Sequence, residues 1–291
     1  MPRGPSPSSP ELPLSSGSAI CLVYAERSPA ARAGRKSGDR PPTDMPVRLT
    51  PLEPPAADAI VVGDSRRAFV LAQELTVQPR MSHQARGLWG YTGTSERGLD
   101  LTVQSTGVGG PSAVAVIGDL IEAGVSTLIR LGTCVSIADH PEPGEALLVE
   151  RAIAADGAGR ALAARAAGSG SVRDPITIEP DRALFDSLRG LAEPGTVSSH
   201  DLVARLDRRP DQAGAGTSVA GQGAPVRDLQ TAATLAIARS LGIRAAALLV
   251  VAESGPAGRL GEGEMEDRFL ELGPAVLEVL EKREPKAQVD L

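Results

Sequence analysis

The stretch Asp58-Ala-Ile-Val-Val-Gly-Asp-Ser-Arg-Arg67 opens the part of the chain whose pattern is regular enough to predict a fold. Its first half is a short apolar run that ends in glycine, which is typical of a strand buried on both faces. From Arg66 to Leu75 the apolar residues recur at helical spacing, and Asp64 or Ser65 is a suitable N-cap. A buried strand that passes directly into a helix is the repeating unit of an α/β domain.

The same alternation of strands and helices continues toward the end of the chain. Segments typical of strands lie at Gly87–Thr94, Leu99–Ser105, Thr127–Leu131, Thr196–Ser199 and Ala245–Ala252. Segments with helical periodicity lie at Ser112–Ala123, Arg182–Leu191, Leu229–Leu241 and Glu264–Glu281. This order predicts a three-layer α/β/α domain, in which helices cover both faces of a central twisted sheet that is mixed and mostly parallel.

The beginning of the chain has a different composition from the rest. Residues 1–56 are rich in Pro, Ser, Arg and Gly without sustained periodicity, which predicts a disordered tail. Met45 lies shortly before the first strand, so a mis-assigned start is an alternative explanation. We expect one domain over residues 57–284 and a flexible end at 285–291.

Composition excludes several classes of protein. The net charge of −6 argues against nucleic acid or an anionic membrane as a partner held by bulk electrostatics. Cys21 and Cys134 lie far apart and belong to no Cys/His cluster, so neither a disulfide framework nor a metal site is expected. No apolar run reaches the roughly 18–20 residues that span a bilayer, and no signal-peptide pattern is present. A cytoplasmic protein is therefore the expectation.

Ligands of α/β sheets bind at the carboxyl ends of the strands, which directs attention to the loops that follow them. In the first loop, Gly63 and the start of the next helix present free N–H groups, and the guanidinium of Arg67 adds donors suited to phosphate. An ordinary turn with a solvated arginine is the alternative. The glycine loop Thr106-Gly-Val-Gly-Gly-Pro111 allows either close approach of a ligand to the backbone or tight packing. Its spacing fits neither the dinucleotide fingerprint nor the P-loop.

Arg130 lies inside the apolar segment Leu128-Ile-Arg-Leu-Gly-Thr133, where a solvated charge is not expected. Because a buried arginine needs a partner, either an acidic side chain neutralises Arg130 or the residue binds an anionic ligand. Thr133 is close enough along the strand to offer a hydroxyl to the same anion.

These segments, taken in order, resemble the nucleoside phosphorylase family that contains hexameric purine nucleoside phosphorylase and uridine phosphorylase. The resemblance covers about residues 58–282 and is carried by Gly63–Ala68, Arg86-Gly87, Tyr91–Thr94, Ser105–Ser112, Leu128–Cys134, Ala155–Gly157, Val197–Ser199, Asp228–Ala233 and Leu248–Ser254. Each motif is short, but the ordered series is specific. The resemblance implies a phosphorylase/hydrolase-like fold. It also implies phosphate-dependent cleavage of a purine or pyrimidine nucleoside to free base and pentose 1-phosphate, with inorganic phosphate as co-substrate and no cofactor.

On the phosphate side, the resemblance implies that Gly63, Arg67, Arg130 and Thr133 bind the anion and that a neighbouring subunit lends Arg86. The protein would then be a homo-oligomer, either a dimer or a hexamer built from dimers, with shared active sites. Arg130 would also act in catalysis, because phosphate fixed by arginines stabilises the cationic sugar that forms as the glycosidic bond stretches.

On the nucleoside side, the resemblance implies contacts from the glycine loop and from the segment Val226–Thr231. The residues expected to contact the nucleoside are Thr106, Gly107, Val108, Asp228, Leu229 and Gln230. Glu253 stands where purine-cleaving members carry an aspartate that protonates the departing base, and it is the second catalytic candidate. A solvated carboxylate at a strand end is the alternative for Glu253.

Four departures from the family pattern lie on the sugar and base sides. Leu229-Gln230 replaces the usual Met-Glu, whose glutamate accepts hydrogen bonds from ribose hydroxyls, and Glu253 is one methylene longer than aspartate. Residues 47–58 contain no histidine for the 5′-hydroxyl, and Asp201-Leu-Val203 has aliphatic residues where relatives often have an aromatic that stacks on the base. We therefore expect a changed substrate, such as a nucleoside modified at its 5′ position. A hydrolytic nucleosidase and a nucleoside-binding relative without catalysis are the alternatives.

One further motif and two further residues are not expected to take part in the chemistry. Ser198-Ser-His-Asp201 gathers a serine, a histidine and an aspartate, but neighbours in sequence rarely form a catalytic triad. His83 is expected in an exposed loop, with an approach to the site beside Arg86 as the alternative. Cys134 is expected as a buried structural thiol, with a place in the pocket lining as the alternative.

Overall fold

The computed structural model describes Leu49 and residues 51–166, 176–201, 224–255 and 257–283. All of them belong to one structural unit, Met45–Leu291. Most of the tail expected over residues 1–56, and all of the end expected at 285–291, lie outside the described residues.

The described residues form a series of strands and helices. The strands are β1 Asp58–Val62, β2 Val77–His83, β3 Gly90–Thr94, β4 Asp100–Ser105, β5 Thr127–Ser136, β6 Ala146–Ala154, β7 Ile176–Ile178, β8 Glu193–Ser199, β9 Val226–Asp228, β10 Arg244–Ser254 and β11 Gly258–Arg259. The α-helices are α1 Ser65–Leu75, α2 Gly110–Glu122, α3 Gly157–Ala166, α4 Arg182–Leu188, α5 Thr231–Ser240 and α6 Glu262–Lys282. A short 3₁₀ turn, Ala85–Gly87, lies between β2 and β3.

The strands join in one mixed sheet. Its order is β11-β10-β6-β8-β9-β5-β1-β4-β3-β2, with β7 beside β6 and an additional pairing of β10 with β5. At its centre β4, β1, β5 and β10 run parallel to one another. Antiparallel pairs flank this centre, where β3 joins β4 on one side and β6 joins β10 on the other. The parallel centre brings the carboxyl ends of β1, β4 and β5 to the same edge.

The hydrophobic core lies in two layers, one on each face of the sheet. Alternate residues of β1 show the division: Ala59 and Val61 pack with α2 and α5, whereas Ile60 and Val62 pack with α1, α4 and α6. The three-layer α/β/α architecture with a mixed central sheet, expected from the sequence, is confirmed.

Several elements were not expected from the sequence, and each has a local reason. The pair Glu150-Arg151 interrupts the apolar pattern of β6 with two exposed residues. Pro79 and Arg80 occupy β2, which tolerates them because it is the last strand of the sheet. Strand β5 continues five residues beyond the expected end at Leu131, and this extension carries polar residues. No described helix is both long and apolar enough to cross a membrane.

Glycine at position 273 allows α6 to pack closely on α1. A Cβ at Gly273 would lie 2.6 Å from Cδ2 of the fully buried Leu71. We expect Gly273→Leu to lower the free energy of unfolding by about 2–3 kcal/mol, because overpacking a dense core forces strain on its neighbours. Urea denaturation measures the change.

The matched control is Gly263→Leu in the same helix, where a Cβ would meet no atom within 4 Å. This variant should be neutral or slightly more stable, since leucine favours helix more than glycine does. Equal losses in the two variants would show that close packing is not what position 273 requires.

Candidate active site

Two loops predicted from the sequence lie side by side at the carboxyl edge of the sheet. Strand β1 ends at Val62, whose carbonyl accepts hydrogen bonds from the backbone N–H and the hydroxyl of Thr106, at 2.7 and 3.0 Å. The carbonyl oxygen of Gly107 lies 3.7 Å from where a Cβ on Gly63 would be. The loop that starts α1 and the glycine loop that starts α2 are therefore in direct contact.

Arg130 is buried in β5, with 4% of its surface exposed. Its Nε donates to the hydroxyl of Thr231 at 3.1 Å, its Nη1 to Oε1 of Gln230 at 2.8 Å, and its Nη2 to Oδ2 of Asp228 at 3.2 Å. The sequence left open whether an acidic side chain neutralises Arg130 or the residue binds an anionic ligand. The structure shows an acidic partner, Asp228. These bonds engage three of the five N–H groups of a guanidinium, and Asp228 neutralises its charge.

A glycine two residues further along β5 makes room for this guanidinium. A Cβ at Gly132 would lie 2.7 Å from both Cζ and Nη2 of Arg130 and 2.8 Å from Cδ2 of Leu249. The glycine of the Leu-Gly-Thr motif is thus required by the arginine beside it.

Asp228 ties several elements to Arg130. Its Oδ1 accepts from the hydroxyl of Ser199 at 2.5 Å, and that hydroxyl oxygen accepts from the backbone N–H of Ala232 at 2.8 Å. Its Oδ2 accepts from the N–H groups of Gln230 and Thr231, at 3.2 and 2.9 Å, and from the Thr231 hydroxyl at 2.6 Å. A carboxylate at a helix N-terminus satisfies free N–H groups and is favoured by the helix dipole. Asp228 therefore holds β8, β9 and the start of α5 together.

The side chain of Gln230 lies between Arg130 and the glycine loop and is 3% exposed. Its Nε2 donates to the carbonyls of Gly107 and Gly109, at 2.6 and 3.3 Å. Its Oε1 accepts from Arg130 and lies 3.1 Å from the Thr106 hydroxyl. Both N–H donors of this amide are thus engaged by protein carbonyls, and its oxygen accepts from Arg130.

Arg67 and Arg86 differ from Arg130 in their surroundings. The guanidinium of Arg67 lies over the ring of Phe269, with Cζ 4.8 Å from the ring centroid. Burial lowers the pKa of Arg67, Asp64 opposes this, and the nearby charge of Arg130 adds to it. Arg86 is exposed, and its φ of 58° lies in the left-handed region. Neither arginine forms a salt bridge with a described carboxylate.

The 3₁₀ turn that carries Arg86 rests against the start of α1, where the Ser65 hydroxyl donates to the carbonyl of Gly87. The same hydroxyl lies 3.2 Å from that of Ser105, the last residue of β4. The backbone at Arg86 therefore adjoins the loop of Gly63 and Arg67 in the same chain. This holds whether the Arg86 side chain contributes to the site of its own chain or to that of a neighbouring subunit.

Residues expected on the sugar and base sides line the same edge. Val108 is 79% exposed at the tip of the glycine loop, and Leu229 is half-buried, as is Thr133, which is expected on the phosphate side. Glu253 is half-buried near the end of β10, where the register with β5 shifts between Val251 and Glu253. Such a β-bulge re-aims side chains beside functional sites. The roles of these residues stay predictions.

A buried carboxyl group behind the glycine loop was not expected from the sequence. Asp156 is fully buried; its Oδ2 accepts from the N–H of Gly159 at 2.6 Å, and its Oδ1 has no partner among the described residues. Burial raises the pKa of Asp156, the Gly159 N–H opposes the rise, and Asp201 and Asp228 add to it. The motif Ala155-Asp-Gly157 was the only signal of this residue.

The first turns of α2, α3 and α5 meet at Gly110. A Cβ there would lie 2.6 Å from Oδ2 of Asp156 and 3.2 Å from the Cβ atoms of Ala158 and Ala233. Small residues on three helices thus allow their positive ends to converge behind the glycine loop.

One expectation outside the site is wrong and one is confirmed. His83 ends β2 and is only 6% exposed, rather than lying in an exposed loop, because β2 continues through it; burial lowers its pKa. Cys134 is buried, which raises the pKa of its thiol and agrees with a structural role. His200 lies 2.9 Å from the Ser198 hydroxyl, and the Asp201 carboxylate accepts from the Gly157 N–H.

Two further expectations concern the surroundings of the site. Leu202 and Val203 lie outside the described residues. Within the described part of the chain, no group of three or more His, Cys, Asp and Glu side chains is placed to hold a metal ion.

Comparison with known proteins gives results that agree with one another. The family model of the Phosphorylase superfamily matches residues 58–282. A purine nucleoside phosphorylase DeoD-type of Oceanobacillus iheyensis is 34% identical over 110 residues, which cover 37% of this chain and 46% of that protein. Another from Clostridium novyi is 41% identical over 83 residues, covering 28% and 35%. A uridine phosphorylase of Haemophilus influenzae is 35% identical over 100 residues, covering 34% and 39%. The chain thus spans less than half the length of these relatives.

The buried ion pair makes a testable contribution to stability. We expect Asp228→Ala to lower the free energy of unfolding by about 3–5 kcal/mol, because Arg130 would be left as a buried charge without a partner. Denaturant unfolding measures the loss. If that variant does not fold, Asp228→Asn, which keeps the acceptor and loses the charge, serves in its place.

The control is Asp186→Ala, which removes two exposed pairs, with Arg182 at 3.0 Å and with Arg189 at 3.3 Å. Exposed pairs contribute little, so the loss should stay below about 1 kcal/mol. A similar small loss for Asp228→Ala would contradict the central place given to the buried pair.

Proposed function

The chain belongs to the phosphorylase superfamily, and on that premise we propose that it cleaves the N-glycosidic bond of a nucleoside with inorganic phosphate, releasing free base and pentose 1-phosphate. One observation carries the proposal. The loops that start at Gly63 and Thr106 adjoin at one edge of the sheet, Gln230 joins the second of them to Arg130 in β5, and the charge of Arg130 contributes to lowering the pKa of Arg67. The resemblance assigns phosphate and sugar to these same loops.

On the phosphate side, we assign the anion to Gly63, Arg67, Arg130 and Thr133. Since Asp228 already balances the charge of Arg130, the net positive charge must come from Arg67, from Arg86 and from the N-terminus of α1. Arg130 then contributes its remaining N–H donors, which point in fixed directions, rather than net charge. A guanidinium held in this way gives an anion a defined orientation.

We assign Arg86 to the site of a neighbouring subunit, so that the functional protein is a homo-oligomer. Arg86 is exposed, and exposed apolar side chains lie near the outer strands β2 and β3: Leu52, Phe69, Met81 and Trp89. Leu52 binds the backbone of β2, and the Phe69 ring lies 5.8 Å from that of Tyr91 in β3. Apolar surface of this kind supports an interface with a second copy.

On the nucleoside side, Thr106, Gly107 and Val108 form one wall, and Asp228 and Leu229 form another. Gln230, which the resemblance places against the ribose, has its amide engaged by protein groups and is considered below. As the glycosidic bond breaks, the sugar becomes cationic and the base anionic. Phosphate stabilises and then captures the sugar, and Glu253 donates a proton to the base.

We propose a purine or pyrimidine nucleoside as substrate, and a 5′-modified one in particular. The absence of histidine from residues 47–58 supports the modification. Glu253, with its additional methylene relative to aspartate, supports a base held at a different distance from the strand.

Hydrolysis by water is the second candidate, and the Arg130–Asp228 pair is the observation that favours it. An anion site with one charge already neutralised attracts phosphate less strongly. Turnover that needs phosphate and yields pentose 1-phosphate supports phosphorolysis. Equal turnover without phosphate, yielding free pentose, supports the hydrolytic alternative, and nucleoside binding without turnover indicates a relative that has lost catalysis.

Adjacent arginines on α1 provide a matched test of the phosphate assignment. We expect Arg67→Met to raise the KM for phosphate by about tenfold or more, because charge-assisted hydrogen bonds are lost while packing on Phe269 is retained. The KM for nucleoside should change far less. Steady-state kinetics at varied phosphate concentration measure both constants.

The control is Arg66→Met, which removes an exposed arginine paired with Glu266 at 2.9 Å. Its KM for phosphate should remain that of the wild type. Equal effects of the two substitutions, or no effect of Arg67→Met, would remove Arg67 from the site.

The role of Glu253 is tested by Glu253→Gln. We expect kcat to fall by about a hundredfold or more, since the amide cannot deliver the proton. The loss should be smallest for a nucleoside whose base leaves readily without protonation. Glu262→Gln, at the exposed start of α6, is the control. A kcat within twofold of the wild type for Glu253→Gln would point to the alternative of a solvated carboxylate.

A further inference from the structure

The glycine loop needs side chains to hold it in one conformation. Gly107 and Gly109 both have positive φ, at 71° and 85°, and glycine loses much conformational freedom when it is fixed. Thr106 anchors the beginning of the loop to Val62, and the Ser112 hydroxyl donates to the Thr106 carbonyl at 2.6 Å. The carbonyls of the two glycines themselves are held by Gln230.

The same amide also holds the catalytic arginine. Oε1 of Gln230 accepts from Nη1 of Arg130 at 2.8 Å, on the side opposite to the glycine carbonyls. The orientation of the amide is unambiguous, because a guanidinium only donates and a carbonyl only accepts. One side chain thus fixes the distance between the glycine loop and Arg130.

The amide of Gln230 meets both requirements, because it donates at one end and accepts at the other. A glutamate at position 230 would turn a carboxylate oxygen toward two carbonyl oxygens, which offer it no proton. It would also place a second carboxylate beside Asp228, adding negative charge where phosphate is proposed to bind. The replacement of the family's glutamate by Gln230 therefore changes what this position does.

We propose that Gln230 is a positioning residue, which joins the glycine loop to Arg130 and forms no hydrogen bond with the sugar hydroxyls. The inference rests on the proposed function for its substrate. Gln230 then does not discriminate between nucleosides with a free 2′,3′-diol and nucleosides without one. Any preference between them comes from other groups.

The first experiment compares one nucleoside with its 2′-deoxy and 3′-deoxy analogues in the wild type, Gln230→Met and Gln230→Glu. We expect kcat/KM to fall by about tenfold to a hundredfold for all three substrates in both variants, because both lose the donors to the glycine loop. The ratios of kcat/KM between the substrates should stay within about twofold of those of the wild type. Gln230 makes no contact with a sugar hydroxyl in the proposal, so its loss affects all three substrates alike.

A direct contact with a sugar hydroxyl would give a different pattern. The ratio between the nucleoside and one deoxy analogue would then shift by about tenfold on substitution. That shift, or a Gln230→Glu variant as active as the wild type, overturns the proposal.

The second experiment does not depend on activity. Hydrogen–deuterium exchange of the peptide that covers residues 105–112 should accelerate in Gln230→Met, because the loop loses two anchors. Gln73→Met, on the exposed face of α1, should leave this exchange unchanged. Unchanged exchange in Gln230→Met overturns the positioning role. Faster exchange in a protein that shows no phosphate-dependent turnover overturns the proposed function alone.

Discussion

The ion pair between Arg130 and Asp228 is the constraint around which the carboxyl edge of the sheet is arranged. A charged guanidinium inside a sheet is costly unless its charge is balanced and its N–H groups are bonded. Asp228 supplies the charge, while Thr231 and Gln230 supply further acceptors. These partners require α5 to begin where it does and β9 to lie beside β5. The geometry of the candidate site is thus set by the need to neutralise one buried arginine and to satisfy its N–H groups with protein acceptors.

Much of the fold was predictable because apolar periodicity depends on neighbours in sequence. The strands beside Gly63 and Ser105 and the helices that follow them are clear in the pattern. Strand β6 was missed because two charged residues in its middle are exposed, and β2 because an edge strand tolerates proline. In both places the position of the strand in the sheet overrides the strand propensity of its residues. That position depends on pairing with strands that are distant in sequence.

The candidate site was predictable in its members and less so in their interactions. The apolar context of Arg130 indicated a buried charge, but its partner lies 98 residues away and only the fold brings the two together. Gln230 was expected to face a sugar because the resemblance places it at the position of a glutamate that accepts hydrogen bonds from ribose hydroxyls. The carbonyl groups that engage it belong to glycines, which have no side chains to signal such contacts. Asp156 was indicated only by a short motif, since its environment is formed by three separate helices.

The partners of Arg130 described here all belong to its own chain. These contacts form within a single polypeptide, so the inner half of the proposed site needs no residue from a second copy. If a neighbouring subunit lends Arg86, only the presence of Arg86 in the site depends on protein concentration. Folding and catalytic competence would then be separate events, with the second governed by how much protein is present.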